Sequence, residues 1–160
     1  MINSRKIEDL HPHVQPKADR FIFESKKSGI DLIAISTYRD VECQNSLYAQ
    51  GRTTAGNPCT CGGKFNATGK CHKHPLGLPV TDARGGDSYH NYCRALDAAP
   101  IVAGKIVWNN AQLWQSIGAV AKSCGLDWAG DWRKFKEMDH FQFTDGLKLA
   151  DFKAGRTEPA

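Results

Sequence analysis

The chain has 160 residues, 41% hydrophobic and 24% charged, enough for one domain with a real hydrophobic core and no staple needed merely to fold. Its net charge of +4 comes from 21 basic and 17 acidic residues that are well interspersed, which permits attraction to an anionic polymer without demanding nucleic acid. No apolar run reaches the roughly 18 residues of a membrane span, so neither membrane insertion nor nucleic-acid binding is expected.

The first six residues lead into charge rather than an apolar segment, so synthesis in the cytoplasm without a secretory signal is expected. The six cysteines are then expected as free thiols or metal ligands. In chain order, Val14, Ala18, Phe21, Ile22 and Ser25 recur at helical spacing behind Pro12 and Pro16, and Gly29 suits the C-cap. Leu32–Ser36 reads as a short, largely buried strand. Asp40 is placed to cap a second helix ending before Gly51, with Cys43 and Leu47 on one face and the polar Gln50 next along it. Residues 51–87 lose all periodicity, and a loop of that length in a compact domain usually has a job or a local clamp.

Order resumes near His90. Cys93, Ala95 and Asp97 alternate with Arg94 and Leu96 as in a strand, and residues 101–108 read as its hairpin partner across a turn at 100–104. Asn110 caps a predicted helix carrying Leu113, Ile117, Val120, Ala121 and Cys124 and closed by Gly125. A loop with Trp128 and Trp132 precedes a terminal strand over 139–143, and Thr144 is expected to open a last short helix with Leu147 and Ala150. Helices interspersed with short strands predict a small α+β fold: one domain over 1–160, its central antiparallel sheet packed by helices.

The chemistry concentrates in His90 and Asp97, followed further on by Glu137-Met138-Asp139-His140. Two imidazoles, one carboxylate and a second carboxylate three residues before the last histidine are the parts of a catalytic zinc site: three protein ligands, an open position and a nearby base. In a strand over 139–143, His140 and Gln142 share one face while Phe141 and Phe143 share the other, so the phenylalanines can bury and leave His140 facing a cleft. Asp97, between Leu96 and Ala98, is poorly placed unless exposed, hydrogen-bonded or bound to a cation. His90 and Asp97 are an odd number of residues apart, which a continuous strand would split between its faces. The reading therefore demands a turn or bulge at Asn91-Tyr92.

Ser88-Tyr89-His90-Asn91-Tyr92-Cys93-Arg94-Ala95-Leu96-Asp97 resembles the S-x-H-x-x-G-x-A-x-D signature of the LAS-type zinc peptidases, peptidase family M15, and Glu137-Met138-Asp139-His140 resembles their E-x-x-H. The likeness is nearest to the branch of L-alanyl-D-glutamate endopeptidases and phage endolysins. It extends to Ser36-Thr37-Tyr38-Arg39, Leu47-Tyr48-Ala49-Gln50-Gly51-Arg52-Thr53, Val80-Thr81-Asp82-Ala83-Arg84-Gly85-Gly86 and Trp128-Ala129-Gly130-Asp131-Trp132. The resemblance implies a D-Ala-D-Ala-peptidase-like fold in which His90, Asp97 and His140 bind one catalytic Zn2+, with Glu137 as general base. It also implies a cleft position for Arg39, as a cation beside the developing oxyanion or a clamp on a substrate carboxylate. Asp139 is the rival to Glu137, Ser88 is expected to support the site by hydrogen bonding, and Tyr89, Tyr92, Trp128 and Trp132 are candidate subsite residues, with burial in the core as the alternative for the tryptophans.

Two departures stand out. Cys93 occupies the glycine position of the signature; a small buried thiol with ordinary β dihedrals is the expected accommodation, against left-handed strain or a thiol joining the metal. A Cys/His-rich insertion at about 57–76 contains Cys59, Cys61, Cys71, His72 and His74. Three cysteines with His74 (or His72) suffice for a second, structural zinc, with a disulfide or a reactive surface loop as alternatives.

The resemblance implies bacterial peptidoglycan as partner, cut between L-alanine and D-glutamate of the stem peptide by a monomeric phage endolysin that reaches the wall after release. The alternatives are a D-alanyl-D-alanine carboxypeptidase or dipeptidase of the same chemistry, and a non-catalytic zinc-binding interaction module. The last needs a basic-aromatic surface beside the cysteines, for which Lys64, Lys70 and Lys73 are thin material.

Overall fold

Residues 1–159 are described by the computed structural model. In chain order the elements are α1 (Gln15–Lys27), β1 (Leu32–Ser36), α2 (Val41–Ala49), β2 (Ala95–Val102), β3 (Lys105–Ile106), α3 (Ala111–Ser123), β4 (Asp127–Trp128), β5 (His140–Gln142) and α4 (Leu149–Lys153), with 3-10 turns at Ile7–Asp9, Tyr89–Tyr92 and Ala129–Asp131. Pro16 lies in the first turn of α1, where its missing N–H costs nothing. The side chain of Asp40 caps α2 by accepting from Cys43 N at 2.7 Å, and that of Asn110 caps α3 by accepting from Leu113 N at 3.0 Å. No helix among the described residues is long and apolar enough to cross a membrane.

The strands form an antiparallel sheet of order β1-β2-β5-β4, with β3 folded back on the far end of β2. Leu96 pairs with Phe141 across the β2/β5 ladder, and Asp97 pairs with His140. Alternation sends Leu96, Ala98 and Phe141 into one core cluster with Val14, Ala18 and Phe21 beside α1 and Trp114, Ile117 and Ala121 of α3. The Phe21 and Phe141 rings lie 4.7 Å apart, and burial of each side chain contributes about 1.5–3 kcal/mol. Asp97, His140 and Gln142 are left on the opposite face. A register shift between Ala34 and Ser36 sets Ser36 opposite Asp97, so Ser36, Asp97 and His140 form a row across three strands.

Several expectations are corrected. Ala103 (φ 49°) and Gly104 (φ 76°) make a tight two-residue turn, so β2 runs on through Pro100 to Val102 and its partner β3 is only two residues long. Thr144 does not open the last helix: Asp145 (φ 53°) and Gly146 (φ 78°) are both left-handed, which no right-handed helix tolerates. That helix starts at Leu149, with Asp151 accepting from Lys148 N at 2.8 Å. The tryptophan loop begins as the edge strand β4, too short to carry a periodic signal.

Trp128 is core. It is 2% exposed, donates from Nε1 to Met138 O at 2.7 Å, and packs so closely on Gly118 and Gly130 that a Cβ at either would fall 2.1 or 2.2 Å from the indole.

Candidate metal centre

Ser88 starts the turn that carries His90, its Oγ accepting from His90 N at 3.4 Å. The turn closes at Cys93, whose N–H donates to His90 O at 3.3 Å while Arg94 N donates to Tyr89 O at 3.0 Å. This is the bend that the spacing of His90 and Asp97 demanded. Cys93 closes it at φ 57° and ψ 24°, so the expectation of β dihedrals is corrected: the signature's glycine position is a left-handed one. Among the described residues, the Cys93 thiol belongs to no cluster of potential metal ligands.

His90 Nε2, Asp97 Oδ1 and His140 Nδ1 converge, with separations of 3.1, 3.2 and 3.3 Å. The outer nitrogens fix the tautomers. His90 Nδ1 donates to Thr37 O at 2.7 Å, and His140 Nε2 donates to Gln142 Oε1 at 3.1 Å. Both inner nitrogens therefore present lone pairs to the carboxylate oxygen. Three acceptors in contact, nearly excluded from water, repel unless a cation lies between them. Zinc bonds of about 2.0–2.1 Å at tetrahedral angles need ligand separations of about 3.3 Å, and the triangle meets that. The residues fit Zn2+, and the buried set matches a catalytic zinc site.

Burial pushes the Asp97 carboxyl up, but the His90 and His140 rings and the Arg39 guanidinium outweigh it and hold the group well below the usual carboxylate range. Burial lowers His90, whereas at His140 burial is outweighed by the Asp97 and Glu137 carboxylates and the group is raised. Arg39 hydrogen-bonds Asp97 Oδ2 through Nη2, donates from Nε to Ser36 Oγ at 2.8 Å and from Nη1 to Gln44 Oε1 at 3.3 Å. Three of the five N–H donors of the guanidinium are thus committed within the chain.

Glu137 Oε2 lies 3.8 Å from His140 Nδ1, and burial raises its carboxyl. Asp139 is pushed up to about 6, chiefly by burial and then by Asp97. Both line a cleft of about 940 Å³ together with Arg39, Tyr89 and Trp132. The Trp132 ring centroid lies 5.6 Å from that of His140. Of the aromatic candidates, Tyr89 and Trp132 reach the cleft. Tyr92 does not: its hydroxyl donates to Gly86 O at 2.9 Å and its ring stacks on Phe152. Trp128 is withdrawn behind the sheet. Gln142 and Thr37 orient the two imidazoles without belonging to the residues expected at the site. The shared face of His140 and Gln142 was a signal for the first, whereas a main-chain acceptor such as Thr37 O leaves none.

In the insertion, ligand atoms of Cys59, Cys61, Cys71 and His74 all lie within 4.8 Å of one another, whereas His72 is outside the group and exposed.

Fold and donor set together define a zinc metallopeptidase. A family model described as D-alanyl-D-alanine carboxypeptidase, of peptidase family M15, matches residues 81–143. The peptidoglycan L-alanyl-D-glutamate endopeptidase CwlK of Bacillus subtilis (strain 168) is 34% identical over 143 residues, spanning 84% of this chain and 73% of CwlK. The chain belongs to the M15 peptidase family. Among solved structures, the Serratia marcescens L-Ala D-Glu endopeptidase ChiX shares the fold with a TM-score of 0.56 at 16% identity, over 94% of this chain and 92% of its own. The vancomycin-resistance D,D-pentapeptidase VanY, solved with Zn(II), shares it with a TM-score of 0.53 at 13% identity, over 90% and 83%.

Proposed function

We propose that this chain hydrolyses the L-alanyl-D-glutamate bond of the peptidoglycan stem peptide. The observation that carries the reading is the convergence of His90, Asp97 and His140 at one end of a cleft that also holds Glu137. The choice of bond is supported by the 34% identity to an L-alanyl-D-glutamate endopeptidase over most of both chains.

His90, Asp97 and His140 would hold Zn2+, which would supply Lewis acidity toward the scissile carbonyl and the attacking water. The chain's own residues do the rest. Glu137 takes a proton from the attacking water onto a carboxylate oxygen and hands it to the leaving amine nitrogen. Its burial raises the carboxyl and so strengthens it as a base. Thr37 O and Gln142 Oε1 hold the two imidazoles in the tautomers that keep their lone pairs on the metal side. Arg39 fixes Asp97 through Oδ2, leaving two of its donors for an oxyanion or a substrate carboxylate. Tyr89 and Trp132 line the cleft where the peptide would lie.

The same proposal extends to the setting: a phage lysin made in the host cytoplasm that meets the wall after release, a reading supported by the motif resemblance. The rival is removal of terminal D-alanine by the same chemistry, supported by the family model's description.

Digestion of purified peptidoglycan with the wild type and Glu137→Ala, read by mass spectrometry, tests both. New L-alanine carboxyl ends and D-glutamate amino ends, lost in the variant, are expected. Release of free D-alanine instead would establish the rival, and equal products from the variant would remove Glu137 as the base.

A further inference from the structure

The insertion lacks what normally holds a loop in shape. Among residues 57–76 only Cys71 is buried, and Phe65, the one large apolar ring, is 53% exposed. Without apolar burial the ordering entropy of such a segment goes uncompensated. Yet its backbone is specific. Lys64 to His72 form a small hairpin, with Asn66 N donating to Lys70 O at 2.9 Å, His72 N to Lys64 O at 3.0 Å and a bridge pairing Phe65 with Cys71. Asn66 Oδ1 pins the tip by accepting from Thr68 N and Lys70 N.

The hairpin carries Cys71, and the segments flanking it bring Cys59, Cys61 and His74 to the same point. Cys59 Sγ lies 3.1 Å from Cys61 Sγ and 3.2 Å from His74 Nδ1, and Cys61 Sγ lies 3.6 Å from Cys71 Sγ. A tetrahedral zinc with Zn–S of about 2.3 Å and Zn–N of about 2.0 Å needs S···S near 3.8 Å and S···N near 3.5 Å, so the cluster is closed, with Cys61–Cys71 and Cys59–His74 near those separations and Cys59–Cys61 closer than zinc would hold them. Gly63 leaves room at the centre: a Cβ there would press on Cys61 Sγ and Cys71 Sγ at 3.2 Å each.

We propose that Cys59, Cys61, Cys71 and His74 bind a second, structural Zn2+ that braces one wall of the catalytic cleft. The link to the cleft is covalent and short. The insertion is pinched at its base by Asn57 N donating to Leu78 O at 3.0 Å, Leu78 N to Asn57 O at 2.7 Å and Gly56 N to Leu76 O at 2.6 Å. Asn57 itself and Val80 to Asp82, just past the pinch, line the cleft. The metal thus holds the two limbs of that wall together from outside, where no hydrophobic core does so. A disulfide is the poorer occupant, since pairing any two of the three cysteines strands the third thiol beside it.

Metal analysis of the purified full chain tests the proposal whichever bond the enzyme cuts. Wild type is expected to hold two zinc ions, Cys71→Ala and His74→Ala one, His140→Ala one, and His72→Ala two. If a cysteine variant fails to fold, cobalt substitution of the wild type and of His140→Ala decides: intense near-ultraviolet sulfur-to-cobalt absorption should survive loss of His140. With substrate, His74→Ala is expected to raise KM severalfold while kcat holds, as a loosened wall would. One zinc per wild-type chain, removed by His140→Ala, would overturn the second site. A disulfide between any two of the insertion cysteines in the active protein would overturn it too. Unchanged KM after loss of one zinc would overturn the bracing role.

Discussion

Asp97 divides its two oxygens: Oδ1 faces His90 and His140, while Oδ2 is hydrogen-bonded by Arg39. A second anchor of this kind orients a ligand and holds it ionised. Arg39→Met is therefore expected to weaken zinc affinity about 10–100-fold, with Arg39→Lys recovering part of it. Competition with a chelator measures the affinity. An unchanged affinity with a large rise in KM would instead assign Arg39 to the substrate alone.

Gly118 inverts a familiar rule. Glycine to alanine inside a helix normally gains up to about 1 kcal/mol. Here the new Cβ would stand 2.1 Å from the Trp128 indole, itself fixed by its bond to Met138 O. Gly118→Ala is expected to lower stability by about 2 kcal/mol, read from the urea midpoint at unchanged slope.

Arg94 is fully buried, with Nη1 bonded to Asp145 Oδ2 at 2.5 Å and Nη2 to the carbonyl of Thr157. Burial raises the Asp145 carboxyl, but hydrogen bonds from His13 and Arg94 outweigh it and set it below its ordinary range. The folded chain thus releases this proton more readily than the unfolded one. The stabilisation is complete above the unfolded carboxyl pKa of about 3.9 and is lost as pH falls through the folded value. Asp145→Asn is expected to cost about 3 kcal/mol at pH 7 by stranding a buried guanidinium, and to flatten the acid end of a stability-against-pH curve. A parallel acid limb in the variant would refute the assignment.

At Cys93 the left-handed backbone discriminates among side chains. A non-glycine residue there gives up about 1–2 kcal/mol, and β-branching worsens the clash. Cys93→Gly is expected to leave stability within about 1 kcal/mol of wild type and zinc content unchanged. Cys93→Val should lose about 2 kcal/mol. Calorimetry with metal counting checks both.

The helices were legible because their periods and caps are local: Asn110 bonds Leu113 N, and Asp40 bonds Cys43 N. The metal ligands were legible through the resemblance of two motifs, and the bend that the odd spacing of His90 and Asp97 demanded exists at 89–93. What stayed hidden depends on distant partners. Trp128 looks the same as Trp132 along the chain, and only Gly118 of α3 and Met138 decide that one is buried. The left-handed pair at Asp145 and Gly146 overrode the capping signal of Thr144. The role of the Thr37 carbonyl cannot be seen in any side chain.

Trp132, tilted against the His140 ring, gives the molecule a built-in optical gauge. Of its four tryptophans, Trp114 and Trp128 are sealed in the core and Trp108 stacks on Trp114. Trp108 also lines the cleft, but the Trp132 indole lies ring to ring with His140 and is best placed to feel what that imidazole holds. Closed-shell zinc should leave its emission in place, an open-shell ion such as Cu2+ should drain it, and a peptide entering the cleft should shift its colour. An emission change abolished by Trp132→Phe would time the arrival of metal or peptide without any attached label.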